Sequence, residues 1–194
     1  MSILARAVLA SHNAGKVKEF QSWLEPWIGE LVPLPPTIEI AETADSFVGN
    51  ACLKASIAAR QMGEWAIADD SGLAVRALQG APGLYSARYG ATDAERIERL
   101  LREMIGVSDR AAEFICAIAL ARPDGTIAFT TEGRCLGEIL TAPRGQNGFG
   151  YDPIFWVPRY QRTFAEMSPR EKQQVSHRGR ALQRLREYFQ DFNP

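Results

Sequence analysis

The sequence predicts an α/β protein whose mixed sheet is flanked by helices. Short apolar runs with the alternation of strands occur between segments in which apolar residues recur at helical spacing. Pro123-Asp124-Gly125 separates two of the strand-like runs and predicts a hairpin between them. Because no internal repeat, linker or low-complexity segment divides the 194 residues, we expect residues 1–194 to form a single domain.

The first part of the chain predicts alternating strands and helices. The predicted elements are a strand over 6–11, a helix over 16–24, a helix over 45–62 and a strand over 65–68. Phe20 and Leu24 lie on one face of the first helix, which predicts that this face is buried. Asp45 is a suitable N-cap for the second helix, and Gly63 is suited to end it.

The rest of the chain adds a hairpin and further helices. The predicted elements are a helix over 92–106, strands over 113–121 and 126–133, and a helical region over 168–189. Thr92 with Glu95, and Ser168 with Glu171, have the spacing of capping boxes that begin helices. The stripe of apolar residues that predicts the buried face of the 92–106 helix is Ile97, Leu100, Leu101, Met104 and Ile105.

Composition excludes several classes of function. The chain has 22 Lys and Arg residues against 23 Asp and Glu residues, a balance that does not favour nonspecific nucleic-acid binding. The longest apolar run, residues 114–121, is too short to cross a bilayer, and the N-terminus lacks the pattern of a signal peptide. Three widely spaced cysteines and two histidines predict reduced thiols and argue against a histidine-built metal site. We therefore expect a cytoplasmic protein without a membrane or nucleic-acid partner.

Residues 11–16, with the sequence SHNAGK, predict an anion-binding turn between a strand and a helix. Backbone N–H groups at a helix N-terminus attract phosphate, and Lys16 adds a full positive charge. The segment is not a Walker A loop, because it does not match G-x-x-x-x-G-K-[ST]. A capped helix with a solvated lysine is the alternative that this segment alone leaves open.

A second polar cluster combines Glu42 with the consecutive residues Asp69, Asp70 and Ser71. Two adjacent carboxylates after an apolar strand repel each other unless a positive group lies beside them. Carboxylate oxygens suit Mg²⁺, and clustered ionisable groups are frequent at catalytic sites. The pattern therefore favours a functional site over a solvated strand end.

Two other carboxylate chemistries share part of this pattern. Asp70-Ser71-Gly72 matches the D-[ST]-G of aspartic proteases, but a chain with one copy would have to dimerise to pair two aspartates. The D-x-D of haloacid-dehalogenase phosphatases is not matched, because adjacent residues of an extended strand point to opposite faces.

A third cluster lies in residues 147–155, NGFGYDPIF. Gly148 and Gly150 bracket Phe149 and allow a tight loop that presents an aromatic face, on which a base could stack. A glycine turn before a strand, with Phe149 in the core, is the alternative.

A fourth cluster, in residues 171–180, contains three cationic or ionisable side chains, Lys172, His177 and Arg178. Positions five apart share no face of one straight helix. If Ser176 caps a new helix, the three side chains can converge. A solvated basic face is the alternative.

Together these segments resemble the inosine/xanthosine triphosphate pyrophosphatase family. The matching motifs, in the family's order, are SHNAGK, GNACLKA, ADDSGL, PGLYSARY, GFGYDPIF, TFAEM and SHRGRAL. They cover essentially the whole chain, and their combined order is far more specific than any one motif. The sequence departs from the family at Gly49, where the family usually has a glutamate.

The resemblance implies an elongated α/β fold with two lobes around a nucleotide cleft, a homodimer, and dependence on Mg²⁺. It implies that Asp70 is the catalytic carboxylate and that Glu42 and Asp70 hold the metal, with Asp69 as a further candidate. The substrate contacts that it implies are Ser11, His12, Asn13, Ala14, Gly15, Lys16, Lys54, Ser71, Phe149, Gly150, Tyr151, Asp152, Lys172, His177 and Arg178.

We therefore expect hydrolysis of aberrant purine nucleoside triphosphates (ITP, dITP or XTP) to the monophosphate and pyrophosphate. Asp70 would orient or deprotonate the attacking water, Phe149 would stack on the base, and His177 with Arg178 would contact the base edge. Two alternatives stay open. One is a dimeric aspartic protease without a metal. The other is a nucleotide-binding module without catalysis, for which Gly49 is the sequence hint.

Overall fold

The computed structural model of the protein describes residues 3–191, except for the side chain of Ala14. The strands are β1 (Leu4–Leu9), β2 (Ile28–Pro33), β3 (Ala66–Val75), β4 (Ala111–Ala121), β5 (Ile127–Ile139), β6 (Phe155–Val157) and β7 (Arg162–Thr163). The α-helices are α1 (Ala14–Leu24), α2 (Phe47–Met62), α3 (Asp93–Glu103), α4 (Pro169–Val175) and α5 (His177–Gln190). Short 3₁₀ turns lie at Arg76–Leu78, Gly83–Arg88, Asp152–Ile154, Pro158–Tyr160 and Phe164–Glu166.

The strands form one mixed sheet in the order β2-β1-β3-β4-β5-β6-β7. β1 pairs in parallel with β2 and with β3, whereas β6 pairs antiparallel with β5 and with β7. Parallel neighbours need long crossover connections, and α1 and α2 lie in those connections. The predicted mixed sheet flanked by helices is confirmed.

The described chain divides into two compact units. The first contains the residues up to Asp70, Cys116–Gly133 and the residues from Arg180 onward, and the second contains Ser71–Ile115 and Arg134–Gly179. The strands β3, β4 and β5 each contribute residues to both units. A single domain over residues 1–194 stays a prediction.

In the first unit, helices cover both faces of the sheet, and the alternation along each strand decides which helix a residue meets. One buried cluster joins Leu9, Ile67, Cys116, Ile118 and Leu120 of the strands to Phe20 and Leu24 of α1 and Leu182 and Leu185 of α5. The other joins Val8, Ala66, Ala68, Ala117 and Ala119 to Ala51, Ala55, Ala58 and Ala59 of α2. Since Ala66, Ile67 and Ala68 alternate between these clusters, residues 69 and 70 must also face opposite helices.

The second unit has an aromatic core of its own. It contains Leu73 and Val75 of β3, Leu100 of α3, and a group of three phenylalanines, Phe114, Phe155 and Phe164. The rings of Phe114 and Phe155 meet edge to face, with their centroids 4.7 Å apart.

The structure corrects the predicted end of the third strand. The prediction ended this strand at residue 68, whereas β3 continues to Val75. Leu73 and Val75 are fully buried in the core of the second unit, so the apolar pattern resumes after the two acids. Asp69 and Asp70 therefore lie inside a strand and not at its end.

Two further details of the predicted helices are wrong. Ser46, not Asp45, is the N-cap of α2, because the Ser46 side chain accepts a hydrogen bond from the Gly49 N–H group at 3.2 Å. Ile105 is 78% exposed, because α3 ends at Glu103 and Ile105 no longer belongs to the buried stripe.

Other local predictions are confirmed. Gly63 ends α2 in the left-handed conformation, with φ of 63°. Ser168 and Glu171 form a capping box at the start of α4, with Pro169 at its first position. β2 is not among the predicted strands. It lies at the edge of the sheet and ends in Pro33, a position where a strand tolerates proline.

Candidate active site

The turn that precedes α1 is organised by its own side chains. Asn13 is the N-cap, and its Oδ1 accepts hydrogen bonds from the N–H groups of Gly15 at 2.9 Å and Lys16 at 3.1 Å. Ser11 Oγ accepts the N–H of Asn13 at 3.2 Å. Exposed His12 lies with Nε2 3.2 Å from the Pro35 carbonyl oxygen. Since Asn13 already engages two N–H groups of the helix start, an anion here would meet mainly the Lys16 charge and the helix dipole.

Asp69 and Asp70 face opposite sides of β3, and each meets a lysine from the helix that covers its side. The Asp69 side chain is fully buried, and its Oδ2 lies 2.9 Å from Lys16 Nζ of α1. Asp70 Oδ1 lies 3.8 Å from Lys54 Nζ of α2. The repulsion between adjacent acids is thus offset by two lysines, one on each face of the sheet.

Lys54 lies between two carboxylates. Its Nζ is 2.7 Å from Glu42 Oε1, in addition to its contact with Asp70. Burial disfavours the Lys54 ammonium group, but the surrounding carboxylates of Asp69, Asp70 and Glu42 outweigh burial and raise the pKa of Lys54. Lys54 therefore stays charged, and it marks the point towards which Glu42 and Asp70 converge.

Asp70 has an environment different from that of an exposed aspartate. Its residue is 7% exposed, and burial raises its pKa, against the opposing effects of Lys54 and of a hydrogen bond from Asn50. Asn50 Nδ2 donates to Asp70 Oδ2 at 3.0 Å. We call Lys16, Glu42, Lys54, Asp69 and Asp70 the carboxylate–lysine cluster.

The donor set suits a metal ion that arrives with phosphate. Among the described residues, no group of three or more His, Cys, Asp or Glu side chains is placed to hold a metal ion by itself. Mg²⁺ commonly uses only one or two protein carboxylates and completes its shell with phosphate oxygens and water. Glu42 and Asp70, which share one ammonium neighbour, fit that smaller requirement.

The second unit carries a group of cations beside an aromatic ring. Phe149 is half-buried, with Lys172 Nζ 4.7 Å and Arg178 Cζ 5.8 Å from its ring centroid. Arg178 Nη2 donates to Ser71 Oγ at 3.0 Å. We call Ser71, Phe149, Asp152, Lys172 and Arg178 the aromatic–cation cluster, whereas His177 stacks on Phe114 and Phe164.

Asp152 organises the loop that carries Phe149. It is 2% exposed, and its Oδ2 accepts hydrogen bonds from the Phe149 N–H group at 2.9 Å and from Lys172 Nζ. Gly148 has φ of 79°, and a Cβ there would lie 1.9 Å from Asp152 Oδ2. The loop therefore requires glycine at 148, and Asp152 fixes both the aromatic residue and the lysine beside it.

The residues between Phe149 and Asp152 are held by the second unit itself. The Gly150 N–H group donates to Asp93 Oδ2 at 2.7 Å. Tyr151 is 4% exposed, belongs to the core, and donates its hydroxyl to the Ser86 carbonyl at 2.9 Å. The described contacts of the Tyr151 side chain are thus contacts to the core.

A break between two helices lies between Lys172 and Arg178, which both approach the Phe149 ring. Ser176 ends α4, and its Oγ accepts the Gly179 N–H at 3.1 Å in the first turn of α5. This confirms the predicted new helix start. His177 opens α5, is buried, and stacks on Phe114 with ring centroids 4.6 Å apart.

The structure adds two residues that the sequence analysis did not select. Asn50 contacts Asp70, and Asp93 holds Gly150. Asn50 lies within the GNACLKA motif, four residues before Lys54 on α2, so its place in that motif was the available signal. For Asp93 the sequence offers only an acid in the first turn of α3, a common helix-start feature.

The chain matches the model of one protein family and is similar to several known proteins. The model of the Ham1 family matches residues 7–188. A dITP/XTP pyrophosphatase from Thermosynechococcus vestitus is 86% identical over 194 residues, which cover all of both chains. A dITP/XTP pyrophosphatase from Synechocystis sp. is 57% identical over 178 residues, 92% of each chain. The solved structure of a HAM1 protein from Coxiella burnetii superimposes with a TM-score of 0.88 and 44% identity, over 97% of this chain and 100% of that one.

Proposed function

Because the chain belongs to the Ham1 family, we propose that it hydrolyses ITP, dITP and XTP to the nucleoside monophosphate and pyrophosphate. The resemblance that the motifs indicated is confirmed by the family match and by the relatives named dITP/XTP pyrophosphatase. Removal of aberrant purine nucleotides from the nucleotide pool is the corresponding role.

The observation that carries this proposal is the convergence of Glu42 and Asp70 on Lys54. The substrate is a polyanion, and phosphoryl chemistry depends mostly on positioning and charge neutralisation. We assign Glu42 and Asp70 to Mg²⁺ and assign Lys16 and Lys54 to the phosphates. Lys172, the third lysine expected at the phosphates, lies beside Phe149 and is bonded to Asp152, so we assign it to the second cluster. When bound, the metal would neutralise phosphate charge and lower the pKa of a coordinated water.

Asp70 is the proposed general base. Its raised pKa keeps a carboxylate able to accept a proton from water, and Lys54 beside it limits how far the pKa rises. We assign Asp69 a different role, because its side chain is fully buried against Lys16. Asp69 would hold the phosphate-binding lysine, and it would not contact the metal.

The aromatic–cation cluster is the proposed contact for the base. Phe149 would stack on the purine, and Arg178 with His177 would donate to O6 of a 6-keto purine. Adenine presents an amino donor at the same place, so these donors would disfavour ATP. Because Asp152 is buried and bonded to Lys172 and to the Phe149 backbone, its proposed part is to hold these groups.

The two alternatives fit the structure less well. An aspartic protease pairs two carboxylates that share a proton, whereas Asp70 contacts Lys54 and Asn50. Gly49, the hint of a module without catalysis, has a packing explanation. A Cβ at 49 would lie 2.8 Å from Ala44 Cβ and 2.9 Å from Ser46 Oγ.

We also propose, on the resemblance alone, that the protein is a cytoplasmic homodimer. Within the described part of the chain, no helix has the length and apolar character needed to cross a membrane.

The test is a product analysis with a panel of nucleoside triphosphates and Mg²⁺. We expect ITP, dITP and XTP to yield the monophosphate and pyrophosphate, because Lys16 and Lys54 can bind the terminal phosphates as the leaving group. Orthophosphate and a diphosphate as first products would contradict the proposal. Rates for ATP within about tenfold of ITP, roughly 1.4 kcal/mol, would contradict the proposed contacts to O6. A similar rate for GTP, which also carries O6, would contradict the expected exclusion of its 2-amino group.

A further inference from the structure

We propose that Asn50 is a positioning residue that determines which oxygen of Asp70 is presented for catalysis. The proposal rests on the proposed function, since it concerns the same carboxylate. To the proposed site residues, the proposal adds Asn50 of α2, whose side-chain amide contacts Asp70.

The orientation of the Asn50 amide is determined by its two partners. Its Oδ1 accepts the N–H of Ala44 at 2.9 Å, and its Nδ2 donates to Asp70 Oδ2 at 3.0 Å. A backbone N–H group only donates and an ionised carboxylate only accepts, so the opposite amide orientation would lose both bonds. Asn50 is 2% exposed, which makes an unsatisfied amide costly.

This fixed amide makes the two oxygens of Asp70 unequal. Oδ2 is occupied by the Asn50 donor, whereas Oδ1 is the oxygen that lies 3.8 Å from Lys54 Nζ. Oδ1 is therefore the oxygen on the side where Glu42 also meets Lys54. Asn50 would hold the carboxylate in the rotamer that presents Oδ1 on the side of Lys54 and Glu42, the residues proposed to serve the metal and the phosphates.

The same amide also ties two separate parts of the chain together. Ala44 lies two residues after Glu42, in the segment before α2, while Asp70 lies on β3. One side chain on α2 therefore links the segment of the first carboxylate to the strand of the second. Aspartate at 50 could keep the bond to Ala44, but as a carboxylate it would not donate to Asp70, which explains the need for an amide.

The experiment compares Asn50→Ala and Asn50→Asp with the wild type, using ITP and Mg²⁺. Asn50→Asp retains the shape and the Ala44 bond but places a second carboxyl beside Asp70, so it tests loss of the amide donor separately from loss of the side chain. Ser56→Ala is the matched control, because Ser56 also lies on α2 and its hydroxyl donates to the Gly125 carbonyl. Circular dichroism melts verify the fold of each variant.

We expect kcat to fall about 10- to 100-fold in both Asn50 variants, the typical range for groups that orient metal ligands. We expect KM, and the Kd of a non-hydrolysable ITP analogue measured by calorimetry, to stay within about threefold of wild type, because Asn50 makes no proposed substrate contact. Ser56→Ala should stay within about twofold in kcat.

Two results would overturn the proposal in distinguishable ways. An active wild type with kcat unchanged in folded Asn50 variants, or a loss confined to KM and Kd, would remove Asn50 from its positioning role and leave the proposed function intact. A wild type that releases no pyrophosphate from ITP would overturn the proposed function and this assignment with it.

Discussion

The two clusters have different arrangements of charged groups. In the carboxylate–lysine cluster, positive and negative groups alternate at short range, and two lysines compensate three carboxylates. In the aromatic–cation cluster, one buried acid, Asp152, holds a lysine beside a ring that an arginine also approaches. The first arrangement suits a metal ion and a polyphosphate, and the second suits a flat, neutral ring with acceptor atoms.

The two clusters also depend on different structural features. The first is set by the alternation of β3, which sends Asp69 to α1 and Asp70 to α2. The second depends on backbone features, namely the left-handed Gly148 and the helix break at Ser176. We therefore expect substitutions in the first cluster to change turnover and substitutions in the second to change substrate affinity or the choice between bases.

The largest expected effect is that of Asp70→Asn. The change is nearly isosteric, but it removes the proposed proton acceptor and a negative charge from the proposed metal site. We expect kcat to fall by ~10²-fold or more while the fold is kept. Steady-state kinetics with ITP measures this. Retention of more than a tenth of wild-type activity would remove Asp70 from the chemistry.

Arg178→Met should instead change discrimination between bases. The side chain loses a charged donor, and a hydrogen bond to a charged group contributes about 1.5–3 kcal/mol. We expect kcat/KM for ITP to fall roughly 10- to 100-fold and kcat/KM for ATP to fall much less. Arg180→Met is the control, since Arg180 is exposed two residues further along α5. An equal loss for both nucleotides would show that Arg178 does not recognise the base.

Phe149→Ala tests the same cluster without changing its donors. Base stacking contributes ~1–3 kcal/mol, so we expect KM to rise about tenfold for every purine substrate, with the ratio of ITP to ATP nearly unchanged. Tyr160→Ala is the control, because Tyr160 is a partly exposed aromatic residue of the same unit outside the cluster. If KM were unchanged, Phe149 would be a loop-packing residue.

Some features of the two clusters could be predicted from the sequence and others could not. Period-two alternation is a local property, so opposite faces for Asp69 and Asp70 followed from their adjacency. The helix break at Ser176 followed from capping chemistry in the same way. Which lysine contacts which aspartate did not follow, because Lys16 and Lys54 lie on separate helices and only the packed sheet determines which face each helix covers.

Other features could not be predicted from local sequence patterns. The acids interrupt the apolar run after residue 68, so the continuation of β3 depends on the core of the second unit around Leu73 and Val75. Asn50 has no charge and lies among alanines, and its importance follows only from its contact with Asp70. Tyr151 lies within a motif of the aromatic–cation cluster, yet its position is set by packing in the core.

The smallest expected effect is the change in the free energy of unfolding when Asp70 is replaced by asparagine. Burial raises the pKa of this carboxyl in the folded protein above its unfolded value. The folded state therefore binds the proton more tightly, and the free energy of unfolding falls as pH rises through the interval between the two pKa values. At neutral pH the ionised carboxylate is thus a net cost to stability, which Asp70→Asn removes because asparagine resembles the protonated form.

We accordingly expect Asp70→Asn to melt at the same temperature as wild type or up to a few degrees higher at pH 7, the scale of about 1 kcal/mol for a chain of this size. The difference should shrink as pH falls towards the ordinary pKa of an aspartate, because only below that pKa is the wild-type carboxyl protonated in both the folded and the unfolded state. Thermal melts from pH 4 to pH 8 in the presence of a chelator measure it. A variant that melts lower than wild type at pH 7, with a gap that narrows in acid, would show that ionised Asp70 stabilises the cluster through Lys54 more than its burial costs.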